Sequence, residues 1–585
     1  MLMPARPVHA APAAGAQACR TVRLADVGWT DVTATTGTLA RILRGLGYRP
    51  KTSVLSVPVT FNGLARGDID VFLGNWMPMQ KADIAPYIEN GSIARVRTNL
   101  TDARYTLAVP DYLYKRGLTD FASIAEFGDA LNHRIYGIEP GNDGNRLVLG
   151  MIAHDQFGLG DFDLVESSEQ GMLAQVERAV RQEKPIVFLG WQPHPMNDRF
   201  DMRYLSGGDA VFGPNYGGAK VYTTVRRGYL DACPNVARLL RNLAFDVEDE
   251  NALMAGVIAT GDAEASAGDW LADHPERLAA WLDGVTTIDG KSADPSMFGS
   301  ADAASAGNFI TRHKIPVGAW MTTAVNWIKA HSGLLDLVST AVGTSIKVLT
   351  AALAAIPPLL FVLLATILTW FLRRSVAITV FVPLALLFII NQGYWDATIQ
   401  TLALVVFAAA ISTAVGVPIG IWAGHRPRAY EGLRSVLDLM QTLPTFVYLI
   451  PTLVIFGLGV VPGLISTIIF ALPAPIRLTQ LGIMSVPKPL IEAGWSFGAT
   501  DRQLLLRVEL PAAAGSILAG ITQCIMLSLS MVVIAALVGA GGLGVPVVRA
   551  LNTVQVGMGF EAGFAIVLLA IILDRITRRE TKGDT

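Results

Sequence analysis

The chain has 585 residues, a formal net charge of −2, and a composition that is 52% apolar and 16% charged. This length exceeds what one domain usually reaches. No basic patch interleaved with aromatic residues is present, which argues against nucleic acid as a partner. Most charged residues precede residue 290, whereas long apolar runs dominate from about residue 337. The sequence therefore predicts a soluble half followed by a membrane half.

The first 18 residues, MLMPARPVHAAPAAGAQA, carry the small side chains of a signal-peptide cleavage region. They lack the apolar core of about 7 to 15 residues that a secretory signal contains. We interpret residues 1–18 as the remnant of an export signal or as a tail.

Strand-like runs alternate with helical patterns through residues 19–288. The runs are TSVLSVPVTF, DIDVFLG, RYTLAVP, RIYGIEP and PIVFLGW, and the helical patterns include TLARILRGLGY and QGMLAQVERAVRQ. This alternation predicts parallel α/β units. Ligands of such sheets bind at the carboxyl ends of the strands.

Three tryptophans, Trp29, Trp76 and Trp191, each directly follow a Gly or an Asn, which predicts that they lie on turns at strand ends. Together with Tyr105 they would form a cage of aromatic faces. Such a cage suits a quaternary ammonium, which carries charge but has no N–H to donate, and each ring contributes about 0.5 to 2 kcal/mol. The alternative is ordinary core packing, which applies most directly to Tyr105 because it lies in an apolar strand.

Several long motifs of the soluble half closely resemble the periplasmic choline-binding proteins of the glycine betaine/choline uptake family. They are CRTVRLADVGWTDVTATT, LSVPVTF, DIDVFLGNWMP, IYGIEPGNDGNR, VESSEQGMLAQV, IVFLGWQPHPMN and YLSGGDAVFGPNYGGA. The resemblance implies a two-lobed periplasmic-binding-protein fold of type II that closes over its ligand. We expect lobe A at about 19–103 and 215–288, and lobe B at about 104–214. The ligand site that the resemblance implies consists of Trp29, Asp31, Trp76, Tyr105, Asn142 and Trp191.

Asp31 favours choline over glycine betaine as the ligand. An acidic acceptor can take the hydrogen bond of the choline hydroxyl and attract the cation, whereas it would repel the carboxylate of betaine. The alternative for Asp31 is a turn cap before VTATT, and the alternative for Asn142 is a purely turn-forming role beside glycine.

The cysteines fit an exported soluble half. Cys19 and Cys233 both lie in that half, where an oxidising compartment permits a disulfide between them. Cys524 lies in an apolar span and is expected to be a small buried side chain.

Residues 289–335 are predicted to be a linker, because their first part is rich in Gly, Ser, Ala and Asp and lacks apolar periodicity. The DGKS in it is not a phosphate-binding loop, since Val285 stands where that motif requires its first glycine. We therefore expect ATP to be hydrolysed by a separate subunit.

The membrane half, predicted at 336–579, is expected to be an all-α polytopic domain. A span needs roughly 20 apolar residues, and seven candidates are predicted at 348–372, 375–394, 397–423, 435–459, 461–480, 513–540 and 559–574. With seven spans, all the clusters of cations fall on one side. The positive-inside rule makes that side cytoplasmic and puts the soluble half outside. The cations are Arg373, Arg374, His425–Arg428, Lys488, Arg502, Arg507, Arg575, Arg578 and Arg579.

The polar segment 489–511 interrupts the predicted spans and resembles the EAA coupling loop of ABC importer permeases of type I. The matching positions are Glu492, Ala493, Gly498, Leu510 and Pro511. Gly494 replaces the usual second alanine of that loop. The resemblance implies a docking site for an ABC ATPase subunit, and the alternative is a solvated loop.

Both halves predict a choline importer of the bacterial inner membrane, with the binding domain fused to its permease and facing the periplasm. The resemblance implies a permease homodimer in the lipid bilayer, and no catalytic residue, metal or cofactor is expected. An importer of glycine betaine or proline betaine is the main alternative. A choline sensor and an enzyme acting through His194 have less support, because neither a signalling domain nor a catalytic set accompanies them.

Overall fold

The computed structural model describes residues 19–298, 317–330 and 333–577. Residues 1–18, the central part of the predicted linker, and Arg578 and Arg579 lie outside the described residues. Clustering of contacts divides the described chain into two compact units. One comprises residues 19–164, 179–298 and 552–554. The other comprises residues 165–178, 317–330, 333–551 and 555–577.

The α/β unit is built around a nine-stranded sheet. The strands are β1 (Thr21–Asp26), β2 (Arg49–Val54), β3 (Val71–Met77), β4 (Ile93–Pro110), β5 (Arg134–Tyr136), β6 (Asp163–Val165), β7 (Phe188–Gln192), β8 (Met202–Tyr204) and β9 (Gly218–Arg226). Their order is β2-β1-β3-β9-β4-β7-β5-β6, and β8 also pairs with β4.

The helices between residues 30 and 281 are short or of moderate length. They are α1 (Thr30–Gly45), α2 (Val57–Arg66), α3 (Lys81–Glu89), α4 (Asp111–Tyr114), α5 (Gly128–Leu131), α6 (Asp143–Ala153), α7 (Glu169–Arg181), α8 (Met196–Arg199), α9 (Asp209–Phe212), α10 (Pro214–Gly217), α11 (Tyr229–Ala232), α12 (Pro234–Asn242), α13 (Val247–Thr260), α14 (Ala263–Asp273) and α15 (Pro275–Trp281). Single 3₁₀ turns cover Ala122–Phe127, Gln156–Gly158 and Pro295–Phe298.

The sheet is mixed: it contains the predicted parallel pairs, and two antiparallel strands lie between them. Strand β1 pairs in parallel with β2 and β3, and β5 with β7. The long strand β4 and strand β9 run antiparallel to their neighbours. We call β1, β2, β3, β9 and residues 93–104 of β4 the first half of the sheet. Residues 104–110 of β4 with β5, β6, β7 and β8 form the second half.

One predicted strand is partly a helix. The run TSVLSVPVTF supplies only the end of β2, and α2 begins at Val57. Pro58 lies in the first turn of α2, where its missing N–H costs no helical hydrogen bond. The apolar β-branched residues of this run led to the prediction of a strand, but the proline in it begins a helix.

The second unit is helical in its described part. Its elements are α16 (Val317–Ala330), α17 (Gly333–Ala354), α18 (Pro358–Arg373), α19 (Val376–Asn391), α20 (Trp395–Gly424), α21 (Pro427–Thr442), α22 (Thr445–Phe456), α23 (Val460–Ala471), α24 (Pro473–Met484), α25 (Lys488–Ser496), α26 (Asp501–Leu504), a π-helical turn (Leu505–Glu509), α27 (Leu510–Ser530), α28 (Val532–Ala536), α29 (Gly544–Asn552) and α30 (Val556–Thr577). Helices α19, α20, α23, α27 and α30 share one apolar core, and Cys524 is buried in it.

The part of the chain that the structure describes contains fewer candidate spans than the seven predicted, and some of them have different bounds. Within the described residues, five helical stretches are long and apolar enough to cross a membrane, or six if the bent pair α21 and α22 forms one span. The five are Leu337–Ala354, Trp395–Gly424, Val460–Met484, Asp501–Ala536 and Val556–Thr577.

Prolines explain why two predicted spans are not single helices. The stretch 348–372 is broken between α17 and α18, where Pro357 has an extended backbone and Pro358 begins the next helix. The stretch 435–459 bends by 89° between α21 and α22, next to Pro444. Proline removes a helical N–H and disfavours the helical conformation of the residue before it. Hydropathy averaged over a window does not register these breaks.

Candidate functional site

The four predicted box residues come together in one pocket. It is lined by Trp29, Trp76, Tyr105 and Trp191, with Ile138 and Asp143 completing the wall, and its empty space is about 260 Å³ with openings to solvent included. All four rings are buried. The structure therefore places the predicted aromatic residues around a common space.

The tryptophans reach the pocket from strand ends in two ways. Trp29 is the N-cap of α1, directly after β1. Trp76 and Trp191 are the second-last residues of β3 and β7, so the prediction that they lie on turns was wrong. Each of these two strands is followed by a cis proline bond, Met77–Pro78 and Gln192–Pro193.

Tyr105 lies between the two halves of the sheet and at the centre of the ring contacts. In β4 it pairs with Trp191 of β7, and the two ring centroids are 6.0 Å apart at an angle of 83°. Its ring is 6.3 Å from that of Trp76 at 62°. Edge-on pairs at such distances are favourable for aromatic rings. The ring of Tyr105 therefore packs against both Trp76 and Trp191 and fixes their relative positions.

Asp31 stands behind the box and not in its wall. It is buried in the first turn of α1, and its Oδ2 accepts a hydrogen bond from Nε1 of Trp76 at 3.0 Å. The turn before α1 is capped by another residue, because Asp26 Oδ1 accepts from the backbone N–H of Gly28 at 2.8 Å. Asp31 therefore orients an aromatic wall and places a carboxylate close to it.

Asn142 caps a helix and also bonds to a ring of the box, whereas its contact with a ligand stays a prediction. It is the N-cap of α6, where its Oδ1 accepts from the backbone N–H of Gly144 at 2.8 Å. The same oxygen accepts from the Tyr105 hydroxyl at 3.0 Å. Burial raises the pKa of Tyr105 well above its ordinary value, so the phenol is protonated and donates.

Two buried acids next to Asn142 were missed by the sequence reasoning. Asp143 lines the pocket with a buried carboxylate, and no described side chain donates a hydrogen bond to either of its oxygens. Burial, with a contribution from the charge of Asp83, raises the pKa of Asp143 to about 6. The sequence signal was only that EPGNDGN contains two acids beside residues of the quoted motif.

The second missed acid, Glu139, holds Trp29. Its Oε1 accepts from Nε1 of Trp29 at 2.9 Å and from Nδ2 of Asn142 at 3.0 Å. Burial raises the pKa of Glu139 to about 7, although both hydrogen bonds act in the opposite direction. The pocket is therefore bordered by three carboxyl groups, and none of its described lining residues carries a positive charge.

Two other predicted features have defined positions in this unit. Cys19 and Cys233 form a disulfide with their Cα atoms 5.7 Å apart. His194 is buried, its Nδ1 accepts from the backbone N–H of Met196 at 3.0 Å, and its ring lies 4.8 Å from that of Trp191. These contacts give His194 a packing role beside the box.

The predicted coupling segment 489–511 forms a surface of the helical unit. It consists of α25, a turn at Gly498 with φ of +78°, the short α26 and the π-helical turn that leads into α27. No residue of α25 is buried, and Phe497 is 92% exposed. A Cβ on Gly494 would lie 2.7 Å from Cδ1 of Leu504, so a larger residue here would require the leucine side chain to shift.

Such a fold and site define a class of protein: a membrane protein that carries a binding domain for a small ligand. Comparisons with known proteins agree with that class. Residues 20–273 match the family described as the substrate binding domain of ABC-type glycine betaine transport systems. Residues 416–579 match the inner membrane component of binding-protein-dependent transport systems.

Named relatives cover each half of the chain. The glycine betaine transport system permease protein OpuAB of Bacillus subtilis is 46% identical over 266 residues, which are 45% of this chain and 94% of the relative. The glycine betaine/carnitine transport permease protein GbuB of Listeria monocytogenes is 41% identical over 46% of this chain and 96% of its own length. The solved structure of an ABC-transporter choline binding protein in complex with choline is 55% identical, over 48% of this chain and 98% of that chain, with a TM-score of 0.47.

The chain therefore belongs to the glycine betaine/choline type of ABC importers and fuses the substrate-binding and permease domains in one polypeptide. Both matched families are subunits of transporters and not enzymes.

Proposed function

We propose that this protein imports choline through the bacterial inner membrane, with energy from ATP hydrolysed by a separate subunit. The observation that carries the choice of ligand is the charge around the aromatic box. Asp143 lines it, and Asp31 stands behind Trp76. A quaternary ammonium is attracted by both the ring faces and these carboxylates. The carboxylate of glycine betaine would be repelled by the same groups.

The hydroxyl end of choline has polar partners in this proposal. The buried oxygens of Asp143 would accept its hydrogen bond, and Asn142 lies beside them as the cap of α6. The box residues Trp29, Trp76, Tyr105 and Trp191 would surround the methyl groups. The ligand role of Asp31 is then electrostatic, because its Oδ2 is already engaged by Trp76.

Glycine betaine or proline betaine is the second candidate. It is favoured by the names of the relatives that match the permease half, which are glycine betaine permeases. The family that residues 20–273 match, which include the aromatic box, is also described as glycine betaine binding, whereas our choice of choline rests on the charge around the box.

The membrane half would be a homodimeric pathway in the lipid bilayer with the soluble half in the periplasm. Support for this orientation comes from Arg373 in the last turn of α18, Arg426 between α20 and α21, and Arg575 in the last turn of α30, since cations are enriched on the cytoplasmic side. The ATPase would dock on the segment 489–511, including Glu492, Ala493, Gly498, Leu510 and Pro511. Its exposed apolar side chains, Trp495 and Phe497, suit burial against a partner.

Purification of the tagged full chain from its native membrane tests this function. We expect a separate ATPase to co-purify and its hydrolysis rate to rise when choline is added to the complex in lipid nanodiscs. A chain with Trp191→Ala serves as the matched control, because it retains the coupling segment. Stimulation by glycine betaine but not by choline would contradict the ligand, and the absence of any associated ATPase would contradict the importer mechanism.

A further inference from the structure

The box residues come from both halves of the sheet, and this has a mechanical consequence. Trp76 lies in strand β3 of the first half, and Trp29 follows its strand β1; Trp191 lies in strand β7 of the second half, and Asp143 begins helix α6, which follows its strand β5. All four are buried, so a separation of the halves would expose them to a ligand. Hinge closure around a ligand is a common motion of two-lobed binding proteins.

An ion pair joins the two halves outside the box. Arg146 of α6 donates from Nη1 to Oδ1 of Asp83 at 2.9 Å and from Nη2 to Oδ2 at 2.6 Å. This bidentate geometry is the strongest form of an arginine–carboxylate contact. The Asp83 side chain is only 11% exposed and that of Arg146 is 37% exposed, so solvent screens the pair less than it screens an exposed pair.

Each partner is anchored in its own half. Helix α3, which carries Asp83, packs on the first half through Ile84 and through the ring of Tyr87, whose centroid is 6.4 Å from that of Phe61. Helix α6, which carries Arg146, is fixed to the second half by Asn145. The side chain of Asn145 accepts from the backbone N–H of Ile138 at 3.0 Å and donates to the carbonyl of Ile138 at 2.9 Å.

The ion pair between Asp83 and Arg146 is also connected to the ligand site, through helix α6. Arg146 lies one helical turn after Asp143, on the same face of α6. Neither Asp83 nor Arg146 lines the pocket. The movement that brings Asp143 to the box therefore brings Arg146 to Asp83.

We propose that Asp83 and Arg146 form an interlobe latch: positioning residues that hold the binding domain closed and slow the release of ligand without touching it. This inference rests on the proposed function for the identity of the ligand. The latch acts on the closed form, so it lowers the dissociation rate and leaves the association rate nearly unchanged.

The test measures association and dissociation rates of choline, and separately of glycine betaine, on the full chain by stopped-flow tryptophan fluorescence. We expect Asp83→Asn to raise the dissociation rate about three- to tenfold with little change in the association rate. Asp83→Asn combined with Arg146→Gln should be no faster than the faster single variant, because the two changes break one interaction. Glu264→Gln is the matched control. It breaks another bidentate pair, with Arg44, which joins α14 to α1 and does not bridge the two halves of the sheet.

Several results would overturn the latch. An unchanged dissociation rate in Asp83→Asn would do so, as would effects of the two substitutions that multiply in the double variant. Wild-type preference for glycine betaine would overturn the choline assignment, and the same rates measured with glycine betaine would still decide the latch. A wild-type chain that binds neither compound would overturn both proposals.

Discussion

The indole N–H of Trp76 donates to Oδ2 of Asp31 over 3.0 Å, and both residues are buried. This contact fixes the orientation of one wall of the aromatic box and holds a carboxylate next to it. One hydrogen bond thus links the two elements by which a site recognises a quaternary ammonium: a ring face and a negative charge.

Asp31→Asn separates the charge of Asp31 from its role as an acceptor. The asparagine oxygen can still accept from Trp76, so the ring keeps its position while the charge is lost. We expect the Kd for choline to rise about tenfold or more, while the Kd for glycine betaine stays the same or falls. Equilibrium titration of the full chain measures both. Equal Kd values for choline in the variant and the wild type would contradict the electrostatic role.

Trp191→Ala removes a ring that contacts Tyr105 at 6.0 Å. We expect the Kd for choline to rise at least about tenfold, because a desolvated ring contributes up to about 2 kcal/mol to cation binding. Trp281→Phe is the matched control, since Trp281 is a buried tryptophan of α15 whose Nε1 bonds to the carbonyl of Ala244, away from the pocket. Equal losses in the two variants would indicate general destabilisation and not a specific site.

Choline affinity should fall as the pH is lowered from about 8 to 5. The pKa of Glu139 is raised to about 7 and that of Asp143 to about 6. A bound cation favours the ionised forms, so each proton that must be released weakens binding by up to about tenfold per pH unit below the pKa of its group. Calorimetric Kd values from pH 5 to 8 measure this. Glu139→Gln should flatten the upper part of the profile, and a profile that is already flat in the wild type would contradict the assignment.

The contribution of Glu139 to the stability of the ligand-free protein should decrease as the pH rises, whereas choline affinity should increase. The ordinary pKa of a glutamate is 4.5, and Glu139 is raised above it, so the folded chain binds more protons than the unfolded chain between about pH 4.5 and 7. The contribution of Glu139 to the free energy of unfolding therefore decreases as the pH rises through that window. Glu139→Gln removes this contribution, and the difference in melting temperature between variant and wild type should grow from pH 5 to pH 8, in favour of the variant. A constant difference would contradict the raised pKa.

Phe497→Ser tests the coupling segment without affecting the fold. The side chain is 92% exposed, so its replacement should leave the melting temperature and the Kd for choline unchanged. We expect choline-stimulated ATP hydrolysis by the complex to fall several-fold, because an apolar contact with the ATPase is lost. Exposed Val54 of the α/β unit offers a control substitution, Val54→Ser. Full stimulation in Phe497→Ser would contradict docking at this residue.

The three tryptophans of the box could be predicted from sequence because each follows a Gly or an Asn near the end of a strand. Trp76 and Trp191 both stand in a repeated FLG-containing strand, and strand ends of such sheets meet at one edge. Asp143 and Glu139 could not be assigned from sequence, because an acid beside glycine and asparagine is usual in a solvated turn. Only the packing of α6 against the box shows that these two acids are buried.

In the helical unit, too, only some features could be predicted from the sequence. Apolar composition predicted its membrane character, but not the breaks at Pro357 and Pro444, which depend on how each chain segment continues after the proline. The pairing of Asp83 with Arg146 is also invisible in sequence. It joins helices 63 residues apart, and nothing in either local pattern distinguishes these two residues from other surface charges.

Calorimetric titration of the purified full chain with choline and with glycine betaine tests the central claim most directly. The account predicts tight binding of choline, with a Kd at least about tenfold lower than that for glycine betaine, and a preference that shrinks when Asp31 is replaced by asparagine. Glycine betaine bound as tightly as choline or more tightly, with a preference that is insensitive to Asp31→Asn, would contradict it.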